Sequence, residues 1–335
     1  MPPHCKRSMP PDKQGASSML KKREYIFWIA MFCGLTLLLL SVGTVYDLQI
    51  DCALYNPENG FARFLQDYGE VPRFALWGPA AAVLYATREW ECETAVALID
   101  KLRRKKGGLS EKAKTTLLKI ANWGFGIGFL VLGYFSWQKL IRNVVKHWFS
   151  DETKETVLYT VFLVTVILAV DVLAAYFAKR KISEKTLRAL KPLAYGGIVF
   201  GILYRVSIDP IKNLVERTRF NEMLTVYDDR AFTMFTPWYQ KGFGGSSFPS
   251  GHTASGAALF LSLTLCDTLD CCKNKERLFF LLSWAFTWLL GFTRMIMGRH
   301  FLSDVAAGAL LGFLFALAAR ELFVRRAAKK IGLVA

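Results

Sequence analysis

Eight runs of apolar residues, at about 25–46, 72–88, 117–137, 156–178, 192–208, 253–268, 278–295 and 302–323, alternate with shorter polar or charged connections. A helix that crosses a membrane needs roughly 20 mainly apolar residues, and each run reaches or approaches that length. The pattern predicts an all-α fold, a polytopic transmembrane helical bundle of about eight spans. The second and fifth runs are the shortest and carry Gly or Pro. The first run is long enough to span and lacks a small-residue cleavage site, so it reads as a retained helix and not a removed signal peptide. No internal repeat is visible.

Composition fits this pattern: 53% of the 335 residues are hydrophobic, with a mean hydropathy of +0.26. The net charge of +16 and pI of about 9.6 would suggest nucleic-acid binding in a soluble chain. Here the cations lie between apolar runs and report topology instead, so no nucleic-acid partner is expected. Lys21–Arg23, Lys101 with Arg103–Lys106, Lys179–Lys181 with Lys185 and Arg188, and Arg325, Arg326, Lys329 and Lys330 alternate with an acidic first loop holding Asp47, Asp51, Glu58, Asp67 and Glu70. The positive-inside rule then puts both termini in the cytoplasm. On that topology the loop 47–71, the segment 209–252 and the turn near 294–300 share the outer side.

The chain divides into a disordered polar tail (1–18), two N-terminal spans with their loops (19–116), a helical core (117–323) and a basic tail (324–335). A start at Met19 would remove the first tail. Of the seven cysteines only Cys52 falls outside, which argues against a disulfide framework. Cys271-Cys272 at an inner helix end could accept an acyl chain, although inert thiols are the simpler reading.

Charged residues at the ends of membrane helices need a reason, and three clusters stand out. Lys212-Asn-Leu-Val-Glu-Arg-Thr-Arg219 follows the fifth run, Phe248-Pro-Ser-Gly-His252 precedes the sixth, and Thr293-Arg294 through His300 to Asp304 spans the turn between the seventh and eighth. Lys212, Arg219 and Arg294 offer three cations suited to phosphate oxygens. Ser250 and Gly251 open a helix whose backbone N–H groups favour an anion, and glycine permits close approach. His300 and Asp304, four apart, would lie on one helix face, with the carboxylate holding one ring nitrogen and leaving the other to attack. His300 would be the nucleophile and form a phosphohistidine. His252 would protonate the leaving oxygen and then activate water. Lys212, Arg219, Ser250, Gly251 and Arg294 would hold the phosphoryl group, a task that falls to Mg²⁺ in other sites, so neither metal nor cofactor is expected.

The ordered set Lys-x6-Arg, Pro-Ser-Gly-His and Arg-x5-His-x3-Asp resembles the type 2 phosphatidic acid phosphatase (PAP2) superfamily. The resemblance implies the phosphohistidine mechanism and a six-helix core over about 117–323, leaving the first two spans as an addition. Two positions depart from the family pattern: Phe220 stands where Pro usually follows the first-motif arginine, and Thr293 where Ser usually opens the third motif. The expected activity is hydrolysis of a lipid phosphate or pyrophosphate (undecaprenyl pyrophosphate, phosphatidic acid or phosphatidylglycerol phosphate) at the outer face of the plasma (inner) membrane, with lipid phosphate and membrane lipids as partners. A lipid phosphotransferase would use the same residues, and a non-catalytic transporter or scaffold is a further alternative. Arg217 and Arg299, off the motif pattern, read as headgroup or peripheral contacts. Asp171 inside the fourth run reads as a structural polar contact or a protonated carboxyl. The aromatics Phe232, Phe235, Trp238, Tyr239, Phe243 and Phe248 read as interfacial anchors or substrate contacts. His147 and His4 have no evident partner.

Overall fold

A computed structural model of the chain describes residues 11–103, 107–145, 148–154, 156–226 and 232–324. His4, Cys5, Arg104–Lys106, His147, residues 1–10 of the first tail and residues 325–335 of the last therefore lie outside the described residues. Among the described residues every regular element is helical. In chain order these are α1 (Pro11–Leu54), α2 (Gly60–Tyr68), α3 (Val71–Ala86), α4 (Arg88–Arg103), α5 (Glu111–Val145), α6 (Asp151–Lys154), α7 (Val157–Lys181), α8 (Glu184–Val215), α9 (Phe220–Val226), α10 (Gly251–Gly256), α11 (Leu263–Thr268), α12 (Glu276–Ile296) and α13 (Leu302–Ala318). Residues 11–18 of the expected tail thus continue into α1.

Among the described residues six stretches are long and apolar enough to cross a membrane: Arg23–Leu54, Glu111–Val145, Val157–Lys181, Glu184–Thr225, Glu276–Ile296 and Leu302–Glu321. The chain is a multi-pass membrane protein. Two of the eight predicted runs take a different form. Helix α3 has 16 residues with Pro72 in its first turn and Pro79 inside. At about 1.5 Å per residue it falls short of a hydrocarbon core of roughly 30 Å. The run 253–268 is divided among α10, a 3-10 stretch over Ala257–Ser262, and α11.

Helix α1 lies along α13, and α3 packs against α5 and α8, with α7 against both α5 and α3. Rings from α1, the 3-10 stretch, α12 and α13 lock the first group: Phe32 meets Phe313 at 4.4 Å and Phe260 at 5.2 Å, and Phe260 meets Phe280 at 5.1 Å. Small residues allow the close crossings that membrane helices favour. A Cβ on Gly43 of α1 would sit 2.5 Å from the Ser303 backbone nitrogen on α13. Asp171 is buried in the α5–α7 seam beside Trp137, where a Cβ on Gly133 would collide with its carboxylate. The six described cysteines are free thiols.

Candidate active site

The three motif clusters meet because two loop segments run side by side. Helix α8 ends at Glu216, which adopts the left-handed region (φ 52°) and donates its N–H to the Lys212 carbonyl at 2.8 Å. The chain beyond it is paired with residues 242–247: Gly242 N–H donates to the Val215 carbonyl (2.7 Å), Gly245 to Glu216 (2.8 Å) and Ser247 to Arg217 (2.9 Å). This pairing requires glycine at 242 and 245, where a Cβ would fall 2.4 and 2.3 Å from the opposing carbonyl oxygens. Its product is the dipeptide Ser246-Ser247, set between the clusters. Lys212 Nζ donates to the Ser246 carbonyl at 2.7 Å, Arg219 Nη2 to Ser246 Oγ at 2.7 Å, and His300 Nδ1 to the Ser247 carbonyl at 2.7 Å. Residues from 212 to 300 are thereby gathered on two adjacent serines.

His300 sits between α12 and α13, two residues after Gly298, whose φ of +59° makes the sharp turn. The imidazole is 3% exposed. Burial pushes its pKa well below the usual histidine range of 6.5, and the cations Lys212, Arg294 and Arg219, followed by His252, push it further down. The ring is therefore neutral, its proton resides on Nδ1 in the bond to Ser247, and Nε2 presents a lone pair.

The expected grip of Asp304 on His300 is not made. The nearest carboxylate oxygen lies 3.9 Å from Nδ1, beyond a hydrogen bond. Asp304, the third residue of α13, instead accepts from the Phe301 N–H at 2.9 Å, from the Ser247 hydroxyl, and from Arg217 Nη1 at 2.6 Å. It holds the segment that holds the histidine.

Arg217 is likewise corrected. It is not a headgroup contact but one of the largest fully buried side chains. Its guanidinium donates to Asp304, to Asp47 Oδ2 of α1 (2.9 Å), to Ser303 Oγ (2.8 Å) and to the Thr236 carbonyl (2.8 Å), and covers the Phe301 ring at 4.1 Å. Asp47 in turn accepts from the Ser303 N–H at 2.9 Å. The only sequence cue was an unexplained arginine within the first motif and an acidic residue near the end of the first span.

Ser250 caps α10, accepting from the Thr253 N–H at 3.4 Å, and its own N–H donates to the Asp304 carbonyl at 2.9 Å. Gly251 serves packing: the Tyr204 hydroxyl donates to its carbonyl at 3.2 Å, and a Cβ there would lie 2.6 Å from that hydroxyl. His252 follows in the first turn. Its Nε2 is 3.2 Å from the Gln66 carbonyl and 3.9 Å from Glu70 Oε2. Arg294 is 4% exposed, its Nη1 reaches Gln66 Oε1 at 3.4 Å, and its Nε has no hydrogen-bond partner in the structure. A buried guanidinium with an unspent Nε–H, near the Lys212 ammonium that donates to the Ser246 carbonyl and the Arg219 guanidinium divided between Ser246 Oγ and Glu222 Oε1 (2.9 Å), is an arrangement suited to a tetrahedral anion. Sequence reasoning missed Ser246, Ser247, Gln66 and Glu70 as site residues; the Gly-Gly-Ser-Ser run was the one visible signal for the first two.

The two departures from the family pattern have local explanations. Phe220, 2% exposed, starts α9 and packs on Tyr55 and Phe301, which pins the loop. The Thr293 hydroxyl donates to the Leu290 carbonyl at 2.8 Å. The loop aromatics divide: Phe235 and Phe248 pack inward, Trp238 stacks on Phe248 and donates to Thr44 at 2.9 Å, while Phe232, Tyr239 and Phe243 are exposed.

No curated protein and no solved structure matches the chain. Residues 189–328 match the family model of the PAP2 superfamily. That segment contains Lys212, Arg219, Ser250, Gly251, His252, Arg294, His300 and Asp304, the residues gathered at the site, so this membrane protein carries over 189–328 a segment similar to the PAP2 superfamily, a phosphatase-type family.

Proposed function

We propose that the chain is an integral membrane lipid phosphatase that hydrolyses a lipid phosphate or pyrophosphate at the outer membrane face through a phosphohistidine. The observation that carries this reading is the state of His300. A neutral imidazole has its Nδ1 proton committed to Ser247 and its Nε2 turned over to chemistry, within reach of the fields of Lys212, Arg219 and Arg294.

In the first step the Nε2 lone pair forms a bond to phosphorus as the bond to the leaving oxygen breaks, and His252 gives that oxygen a proton. In the second, water attacks phosphorus, its proton passes to His252, and the N–P bond breaks. The three cations stabilise charge on the equatorial oxygens. Undecaprenyl pyrophosphate, phosphatidic acid and phosphatidylglycerol phosphate all offer a terminal phosphoryl group to such a site. The positive-inside pattern supports cytoplasmic termini in a plasma (inner) membrane, with the site outside.

The test is phosphate release from these lipids by purified protein in EDTA, alongside His300→Ala. Release by the wild type and none by the variant is expected. Equal release by both would overturn the reading. Transfer of label to an acceptor lipid in place of water would favour the phosphotransferase alternative.

A further inference from the structure

The N-terminal region, outside the matched family segment, reaches into the site. Residues 56–70 are tied down at three points. Asn56 N–H donates to the Ile296 carbonyl at the end of α12 (2.8 Å), Asn59 caps α2 through the Ala62 N–H (2.9 Å), and Gly69 lies so close to α12 that a Cβ would sit 2.3 Å from Leu290 Cδ1. The α2–α3 turn is thereby pressed against His252. Glu70, 5% exposed, is held by the Ser255 hydroxyl, whose single proton is shared between Glu70 Oε1 at 3.0 Å and the Gly251 carbonyl at 2.9 Å, and by Arg73 at 3.6 Å. Its other oxygen faces His252 Nε2 at 3.9 Å, on the side where that nitrogen meets the Gln66 carbonyl at 3.2 Å.

A carbonyl accepts only. Nε2 must therefore carry a proton, and the catalytic proton of His252 is the one on Nδ1. A carboxylate beside the Nε2–H stabilises the imidazolium, the form that can donate from Nδ1. The other charged groups near the ring are Arg73, paired with Glu70, and His300, which itself lies in the field of Lys212, Arg219 and Arg294 across the site. The cations among them oppose a positive ring.

We infer that Glu70, contributed by the N-terminal addition, is the positioning residue of the acid–base histidine: with the Gln66 carbonyl it sets the tautomer of His252, and its charge keeps His252 protonated when the leaving oxygen departs. This rests on the proposed phosphatase chemistry.

The experiment compares wild type, Glu70→Gln and His300→Ala on dioctanoyl phosphatidic acid, whose leaving group is an alkoxide, and on p-nitrophenyl phosphate, whose leaving group departs without a proton. Positioned acid–base groups contribute about 10²–10⁴-fold. Glu70→Gln is accordingly expected to lose roughly tenfold or more in kcat/KM on the lipid and only about twofold on the aryl ester. The alkaline limb on the lipid should move to lower pH, because the imidazolium is lost sooner without the carboxylate. Equal losses on both substrates, or none on either, would overturn the inference. If Glu70→Gln does not yield folded protein, Ser255→Ala, which frees the Glu70 carboxylate, should move the same limb in the same direction by a smaller amount; an unmoved limb overturns the inference. Phosphate release unaffected by His300→Ala would instead sink the underlying phosphatase reading.

Discussion

Asp304, in the first turn of α13, and His300, two residues before that helix begins, are four positions apart, yet the carboxylate stops 3.9 Å from Nδ1, and Ser247 serves both. The Ser247 carbonyl accepts a hydrogen bond from the imidazole Nδ1–H, and its hydroxyl donates to Asp304. The carboxylate therefore acts on the nucleophile through a loop that it organises, with Arg217 balancing its charge from the other side.

This relay predicts coupling. Asp304→Asn and Ser247→Ala should each lower kcat, and the double variant should lose much less than the product of the two. The deviation from additivity should be about 1 kcal/mol or more, as for residues sharing one hydrogen-bond network. Simple additivity in a double-mutant cycle would show that the two act separately.

Arg217→Ala leaves Asp47 and Asp304 as buried charges without their common partner. Breaking a buried pair from one side costs about 3–5 kcal/mol, so a lowered thermal midpoint in detergent and strongly reduced activity are expected. Arg217→Lys should recover little, because a point charge cannot serve three side-chain acceptors in a planar fork. An unchanged midpoint in Arg217→Ala would contradict the buried network.

Gly308→Ala tests the packing that seats the second motif. A Cβ at 308 would lie 2.3 Å from the Ser250 carbonyl oxygen, so the Ser250–His252 turn must move. A displacement of about 1 Å at a catalytic group can cost on the order of a hundredfold in rate. The expected result is a large fall in kcat in protein that still purifies as a folded membrane protein; wild-type kcat would show that the contact is slack.

The lowered His300 pKa has a definite sign. Its folded value lies below the unfolded value near 6.5. In the window between them the unfolded chain binds a proton that the folded chain does not. Stability from this group is present above pH about 6.5 and declines as pH falls below it. The nucleophile stays deprotonated through the same window. Unfolding followed from pH 8 to 5 should show the decline in the wild type and a smaller one in His300→Gln; an equal slope in both would assign it to other groups.

Much of the site was legible in the sequence, because motif spacing reports chemistry that must recur at helix ends. Lys212, Arg219, His252, Arg294 and His300 lie within one another's electrostatic reach, while Asp304 meets His300 only through Ser247 and not by the direct bond the spacing suggested. The illegible parts are those made by tertiary pairing. Nothing local marks Arg217 as the partner of Asp47, 170 positions earlier, and the role of Ser246-Ser247 arises only when 242–247 lies against 215–218. Hydropathy located the apolar runs but not their continuity: Pro79 sits in a helix too short to span, and the stretch after His252 tightens into a 3-10 segment.

The central claim is that His300 becomes covalently phosphorylated. Wild-type protein incubated briefly with a ³²P-labelled lipid phosphate and quenched in base should retain label that acid releases, as expected of a phosphoramidate, and vanadate should abolish it. His300→Ala should retain none. Label of the same stability in His300→Ala, or lipid hydrolysis by the wild type with no trappable label under any quench time, would contradict the account.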